Sequence, residues 1–170
     1  SGASAAVLNN LVSKGFFSQS VMTAGNQLQA DDVIPPVPLN KEQDEACRRI
    51  RGLFTAQEVV LLHGVTSSGK TEIYIHLIKE QLDRGKQVLY MLPEIALTTQ
   101  IIERLQRHFG RSISIYHSRM STSSRLEVWK KVSRAQDDGR INLILGVRSS
   151  LFLPFSDLGL VIIDEEHDSS

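Results

Sequence analysis

The chain predicts an α/β domain in which a parallel sheet carries helices on both faces. Three observations predict it. Short runs rich in Val, Ile and Leu recur at 59–63, 87–92, 113–117, 141–145 and 159–163, with helix-length stretches between most of them. The first run breaks into Gly64-Val65-Thr66-Ser67-Ser68-Gly69-Lys70-Thr71, which fits G-x-x-x-x-G-K-[ST] at every fixed position. The last run ends on an acid, as Leu160-Val161-Ile162-Ile163 passes into Asp164-Glu165-Glu166-His167.

The first run, Val59 to His63, reads as a strand buried on both faces, because strands inside a parallel sheet are apolar throughout. Each residue type in the loop that follows has a separate chemical reason. Gly64 and Gly69 accept backbone angles closed to other residues, so the N–H groups of Thr66, Ser67, Ser68 and their neighbours are able to curl round phosphate oxygens. Lys70 brings a positive charge to the β- and γ-phosphates, and the Thr71 hydroxyl is a ligand for Mg²⁺. The helix that begins here adds the positive end of its dipole. The pattern predicts a nucleotide site.

In chain order, Ser4 to Lys14 puts Val7, Leu8, Leu11 and Val12 on one helical face, with Gly15 as its stop. Residues 1–30 are too few for a core of their own. They read as the tail of a preceding domain or as a helix docked on the main body. Residues 31–39 hold Pro35, Pro36 and Pro38, a stiff extended linker that marks a domain boundary. The main domain is then 40–170.

Asn40 and Gln43 form a capping-box pattern ahead of a helix with Ala46, Ile50, Leu53 and Phe54 at core spacing. Gln43 has a second reading, since its paired donor and acceptor match the edge of an adenine. Cys47 reads as a small buried hydrophobe. The helix after the phosphate loop should run from Lys70 to about Arg84 and stop at Gly85. The next, rich in Ile and Leu, should end near Phe109-Gly110, and Ser121 should cap the helix bearing Leu126, Trp129 and Val132. In such a sheet the chemistry sits at the carboxyl ends of the strands.

Composition excludes little. Lysine plus arginine equals aspartate plus glutamate at 19 each, so no overall charge draws the chain to nucleic acid or membrane. Between Arg104 and Arg134, however, eight basic residues face the single acid Glu127. That segment reads either as solvated helix faces or as a nucleic-acid footprint. One cysteine excludes an internal disulfide and a cysteine zinc cluster, and points to a reduced, cytoplasmic setting. No apolar run approaches the ~20 residues of a membrane span.

Asp164 completes the site on this reading. An acid at the end of an apolar strand, in a domain that also carries the phosphate loop, is placed to hold Mg²⁺ directly or through water, together with Thr71. Glu165 is the candidate to orient the attacking water. Lys70, Asp164 and Glu165 are thus the catalytic set. His167 is either a surface residue or a hydrogen-bonded coupling element between the nucleotide and a moving part.

The loop, the acidic segment and four further strings resemble the DExH-type superfamily 2 helicases, and within them the bacterial replication-restart helicases. The further strings are Leu92-Pro93-Glu94-Ile95-Ala96-Leu97-Thr98, Tyr116-His117-Ser118, Gly146-Val147-Arg148-Ser149-Ser150-Leu151-Phe152 and Asp168-Ser169-Ser170. The resemblance implies a RecA-like ATPase domain of a 3′→5′ DNA helicase, using ATP and Mg²⁺ in replication restart and primosome assembly. Single- or forked-strand DNA, other primosome proteins and single-strand-binding protein are its implied partners. It implies Gln43 as the adenine reader, and strand contact by Thr98, Arg148 and Ser149. It also implies that residues 1–30 are the remnant of a winged-helix module, and that zinc belongs only to a part carrying the family's cysteines.

Ser67, Val147 and Thr99 depart from the family's usual glycine, threonine and proline. The chain stops soon after the acidic segment. The expectation is therefore the ATP-binding half of a motor, lacking the second RecA-like domain and its arginine finger, and slow or inactive alone. A P-loop NTPase of another class, a nucleotide-dependent kinase or a non-motor ATPase module, is the alternative.

Overall fold

The computed structural model describes residues 33–65, 68–93, 96–110, 113–134 and 140–164. The expected N-terminal helix and winged-helix remnant lie outside them. Among the described residues four helices and four strands follow in order: α1 (Lys41–Leu53), α2 (Lys70–Asp83), β1 (Gln87–Met91), α3 (Thr99–Phe109), β2 (Ile113–Tyr116), α4 (Thr122–Val132), β3 (Leu143–Gly146) and β4 (Leu158–Ile163). A 3₁₀ turn, Arg148–Phe152, joins the last two strands. All strand pairs are parallel, in the order β2-β3-β1-β4.

Local sequence explains most boundaries. The capping box at α1 is complete: the Asn40 side chain accepts from the Gln43 N–H at 2.8 Å, and the Gln43 side chain accepts from the Asn40 N–H at 3.0 Å. The Ser121 hydroxyl caps α4 and that of Thr98 caps α3. Helices α2 and α3 end ahead of Gly85 and at Gly110, as expected.

The strand β1 is buried along its whole length and divides the core by alternation. Val88, Tyr90 and Leu92 join Leu143 and Leu145 of β3 beneath Ile75 and Ile78 of α2 and Leu105 and Phe109 of α3. Leu89, Met91 and Ile144 point the other way, under Val128 and Val132 of α4. Helix α1 packs outside α2 through Cys47 and Ile50 against Ile73 and Leu77. Burial raises the Cys47 thiol above its ordinary pKa, in keeping with an inert core residue.

The first expected strand differs. Residues 59–63 form no strand and pair with none among the described residues. Val60 and Leu62 turn inward onto the α1–α2 core and Leu160, while Val59 and Leu61 are 82% and 89% exposed. Only one face of this segment is covered, so the expectation of burial on both sides is corrected. The cause is that Cys47 and Ile50 of α1, Ile73 and Leu77 of α2 and Leu160 cover the side of Val60 and Leu62 alone. The edge strand β4 is likewise open, with Val161 and Ile163 exposed.

Residues 33–39 have no regular secondary structure and are tied to α2 and α3. His108 Nδ1 meets the Ile34 carbonyl at 3.1 Å and His76 Nε2 the Val37 carbonyl at 2.9 Å, while the Ile34 N–H donates to the Arg107 carbonyl. Among the described residues no helix is long and apolar enough to cross a membrane.

Candidate nucleotide site

The phosphate loop is shaped by two glycines and one lysine. Gly69, at φ 80°, caps α2 in the left-handed region that other residues rarely enter. A side chain there would also overlap the Gln43 amide, whose Nε2 donates to the Gly69 carbonyl at 3.4 Å. Gln43 therefore caps α1 and reaches the loop at once, so one of its two readings is realised and the other is left compatible. A Cβ on Gly64 would come within 2.9 Å of the Ser68 hydroxyl. The Lys70 ammonium folds into that loop, donating to the carbonyls of Gly64 at 2.6 Å and Val65 at 3.2 Å. Ser68 is exposed, and Thr71 sits half-buried in the first turn of α2. Thr66 and Ser67 lie outside the described residues.

The first turn of α2 is anchored from α3, where Arg104 pairs with Glu72. Asp164 follows β4 directly. Its N–H extends the ladder to the Met91 carbonyl at 3.0 Å, and its Oδ2 accepts from the Tyr90 phenol at 2.8 Å. Burial drives the Tyr90 pKa well above the usual phenol range, and the Asp164 charge adds to the shift, so the phenol keeps its proton and donates. Sequence reasoning missed Tyr90, since an aromatic within Val-Leu-Tyr-Met-Leu carries only a core signal. Glu165 and His167 lie outside the described residues.

The residues present suit a Mg²⁺-bound nucleotide. Glycines line the loop where a Cβ would intrude, a helix N-terminus begins at Lys70, and one carboxylate and one hydroxyl supply the hard oxygens that Mg²⁺ prefers. Helix α2 packs on β1 and β4, which brings the loop's helix and Asp164 to the same region of the sheet.

The residues expected to meet DNA occupy the carboxyl ends of β1 and β3. Thr98 is exposed, and its hydroxyl is engaged as the α3 cap. Arg148 and Ser149 are exposed at the start of the 3₁₀ turn. Gly146 permits that turn: Ser150 lies so close over the end of β3 that a Cβ at 146 would overlap it. The Ser150 hydroxyl then donates to the Val147 carbonyl at 2.5 Å, and the Val147 N–H donates to the Tyr116 carbonyl. Of the basic residues between 104 and 134, Arg104 and Lys131 form ion pairs with Glu72 and Glu127, and Arg125 donates to the Ser118 carbonyl.

Comparison with known proteins agrees with this geometry. Residues 40–170 match the DEAD/DEAH box helicase family. The chain is 39% identical over 172 residues to the replication restart protein PriA of Bacillus subtilis (strain 168), covering 98% of this chain and 21% of that protein. It is 48% identical over 132 residues to PriA of Rickettsia felis, covering 78% of this chain and 19% of the relative. With PriA of Haemophilus influenzae it shares 46% over 133 residues, 78% of this chain and 17% of the relative. The chain spans about a fifth of the length of these curated relatives. Its parallel sheet, its phosphate loop and the acid that follows β4 are those of a RecA-like domain, and the chain belongs to the DEAD/DEAH box helicase family.

Proposed function

We propose that this chain is the ATP-binding half of a 3′→5′ DNA helicase that acts in replication restart. What supports the reading is the phosphate loop ahead of α2, with Asp164 following β4, in a chain whose relatives are replication restart proteins. Bound Mg²⁺ would supply charge neutralisation across the β- and γ-phosphates. Lys70 exchanges its contacts with the Gly64 and Val65 carbonyls for phosphate oxygens. Thr71 and Asp164 would hold the metal, the loop N–H groups of residues 64–69 would cradle the phosphates, and Gln43 would read the adenine edge from its place beside Gly69. Glu165 orients the water, and His167 relays the state of the site to the strand-contacting loops.

Thr98, Arg148 and Ser149 grip the phosphates of a single or forked strand from the ends of β1 and β3. Primosome proteins and single-strand-binding protein are the partners of the longer protein, in the bacterial cytoplasm; its zinc lies in other segments. Residues 1–30 belong to a winged-helix module, 31–39 to a linker and 40–170 to the motor domain.

Titration of a fluorescent ATP analogue with and without Mg²⁺ tests the site. Binding should strengthen with Mg²⁺ and weaken sharply in Lys70→Ala. Binding to single-stranded DNA should weaken with salt, and weaken further in Arg148→Ala. Nucleotide binding that ignores both Mg²⁺ and Lys70 would refute the proposal.

A further inference from the structure

We infer that Tyr90 is a positioning residue for the metal-facing carboxylate, fixing Asp164 in one orientation relative to the first turn of α2. This rests on the nucleotide site proposed above. Tyr90 has no solvent exposure, yet its hydroxyl reaches the polar group at the end of the neighbouring strand, 2.8 Å from Asp164 Oδ2. Parallel pairing sets Tyr90 opposite Ile162, two residues before Asp164. Equal alternation along the two strands then aims the phenol along the sheet toward the carboxylate.

The other side of the ring is held as well. Tyr74 of α2 meets it edge-on, with ring centroids 5.7 Å apart and planes at 70°. Tyr74 lies three residues beyond Thr71, nearly one helical turn along the same helix. One side chain thus touches the carboxylate directly and the hydroxyl-bearing turn through a single ring contact. These are the two protein groups assigned to the metal.

The consequence concerns Mg²⁺ more than the nucleotide. An aspartate beyond the end of a strand has free side-chain torsions, whereas Mg²⁺ demands near-ideal octahedral geometry. A donor on Oδ2 selects one rotamer and leaves Oδ1 to face the metal. Partners of this kind, outside the ligand shell, are typically worth about 10- to 100-fold in metal affinity.

Tyr90→Phe keeps the ring and its contact with Tyr74 and removes only the donor. In the 170-residue chain, the Mg²⁺ concentration that half-saturates its effect on fluorescent ATP-analogue binding should rise about 10-fold. Affinity for the analogue in EDTA should stay close to that of the unaltered chain. Adding Tyr90→Phe to Asp164→Asn should produce no further shift, since the group it positions is already altered.

An unchanged Mg²⁺ requirement in Tyr90→Phe, or an equal loss with and without Mg²⁺, would overturn the inference; the second pattern is what a packing defect gives. If Lys70→Ala sharply weakens binding while Tyr90→Phe leaves the Mg²⁺ requirement unaltered, only the role of Tyr90 falls. If neither Lys70→Ala nor Mg²⁺ changes binding of the analogue, the nucleotide site falls with it.

Discussion

At the amino end of the sheet Gln87 has no exposed surface and both polar ends of its side chain are used, whereas at the carboxyl end Lys70 and Asp164 remain half-buried. Gln87 Nε2 donates to the carbonyls of Val132 and Ile141 at 3.0 Å each. Its Oε1 accepts from the N–H groups of Ser156 and Asp157 at 2.9 and 3.1 Å, and from the Ser156 hydroxyl at 3.3 Å. One side chain thereby ties the end of α4, the approach to β3 and the approach to β4. The contrast shows how the domain divides its polar groups. Those at the amino end are consumed in holding the chain together, and those at the carboxyl end stay partly open to solvent.

The most severe challenge to this division is Gln87→Leu. Several buried partners would lose their bonds together, at roughly 1–3 kcal/mol for a group left unsatisfied. A loss of about 3–5 kcal/mol in urea unfolding is expected, enough to unfold a marginal domain. A loss under about 1 kcal/mol would show that the amino end is not the fastening assigned to it.

Lys70→Ala should do the reverse. Nucleotide affinity should fall by about 2–3 kcal/mol, in line with a charge-assisted contact to phosphate. The melting temperature should move by only a few degrees, because the bonds this variant removes run to loop carbonyls near the surface. Calorimetric titration beside thermal unfolding separates the two effects.

Gly146→Ala probes the carboxyl end for structure instead of chemistry. The new methyl overlaps Ser150, so the turn that carries Arg148 must shift, at a cost of about 1–3 kcal/mol in stability. DNA affinity should fall with it. The double variant Gly146→Ala/Ser150→Gly should restore much of both, which a DNA filter-binding series beside urea unfolding would record.

Lys86→Met should have the smallest effect. Its ion pair with Asp157, at 2.6 Å, lies at the amino end but is partly exposed, and such pairs contribute roughly 0–1 kcal/mol. Double-mutant cycles with Asp157→Asn should find a coupling in that range, far below that of Gln87.

Much of this is legible in the chain, for local reasons. The Asn40–Gln43 box, the Ser121 cap and the glycine after α2 each act within a few residues, so the pattern of residues already contains them. The phosphate loop is legible for the same reason, since all its fixed positions lie between Gly64 and Thr71. The segment 59–63 departs from its expected burial because burial depends on neighbours. Its Val and Leu residues state an affinity for the interior, but α1, α2 and Leu160 cover only the side of Val60 and Leu62 and leave Val59 and Leu61 exposed.

The phosphate loop, the acid at Asp164 and the alternation of strands and helices are each a matter of residue type at fixed local spacing, and the linear chain settles them alone. The strand order β2-β3-β1-β4, the Gln87 fastening and the Tyr90–Asp164 contact were decided only in three dimensions. The latter two join residues 45 to 74 positions apart, as in the Gln87–Val132 and Tyr90–Asp164 bonds. No short-range periodicity encodes which distant partner a buried polar atom will meet. That choice is made when the sheet assembles and buried polar groups compete for partners.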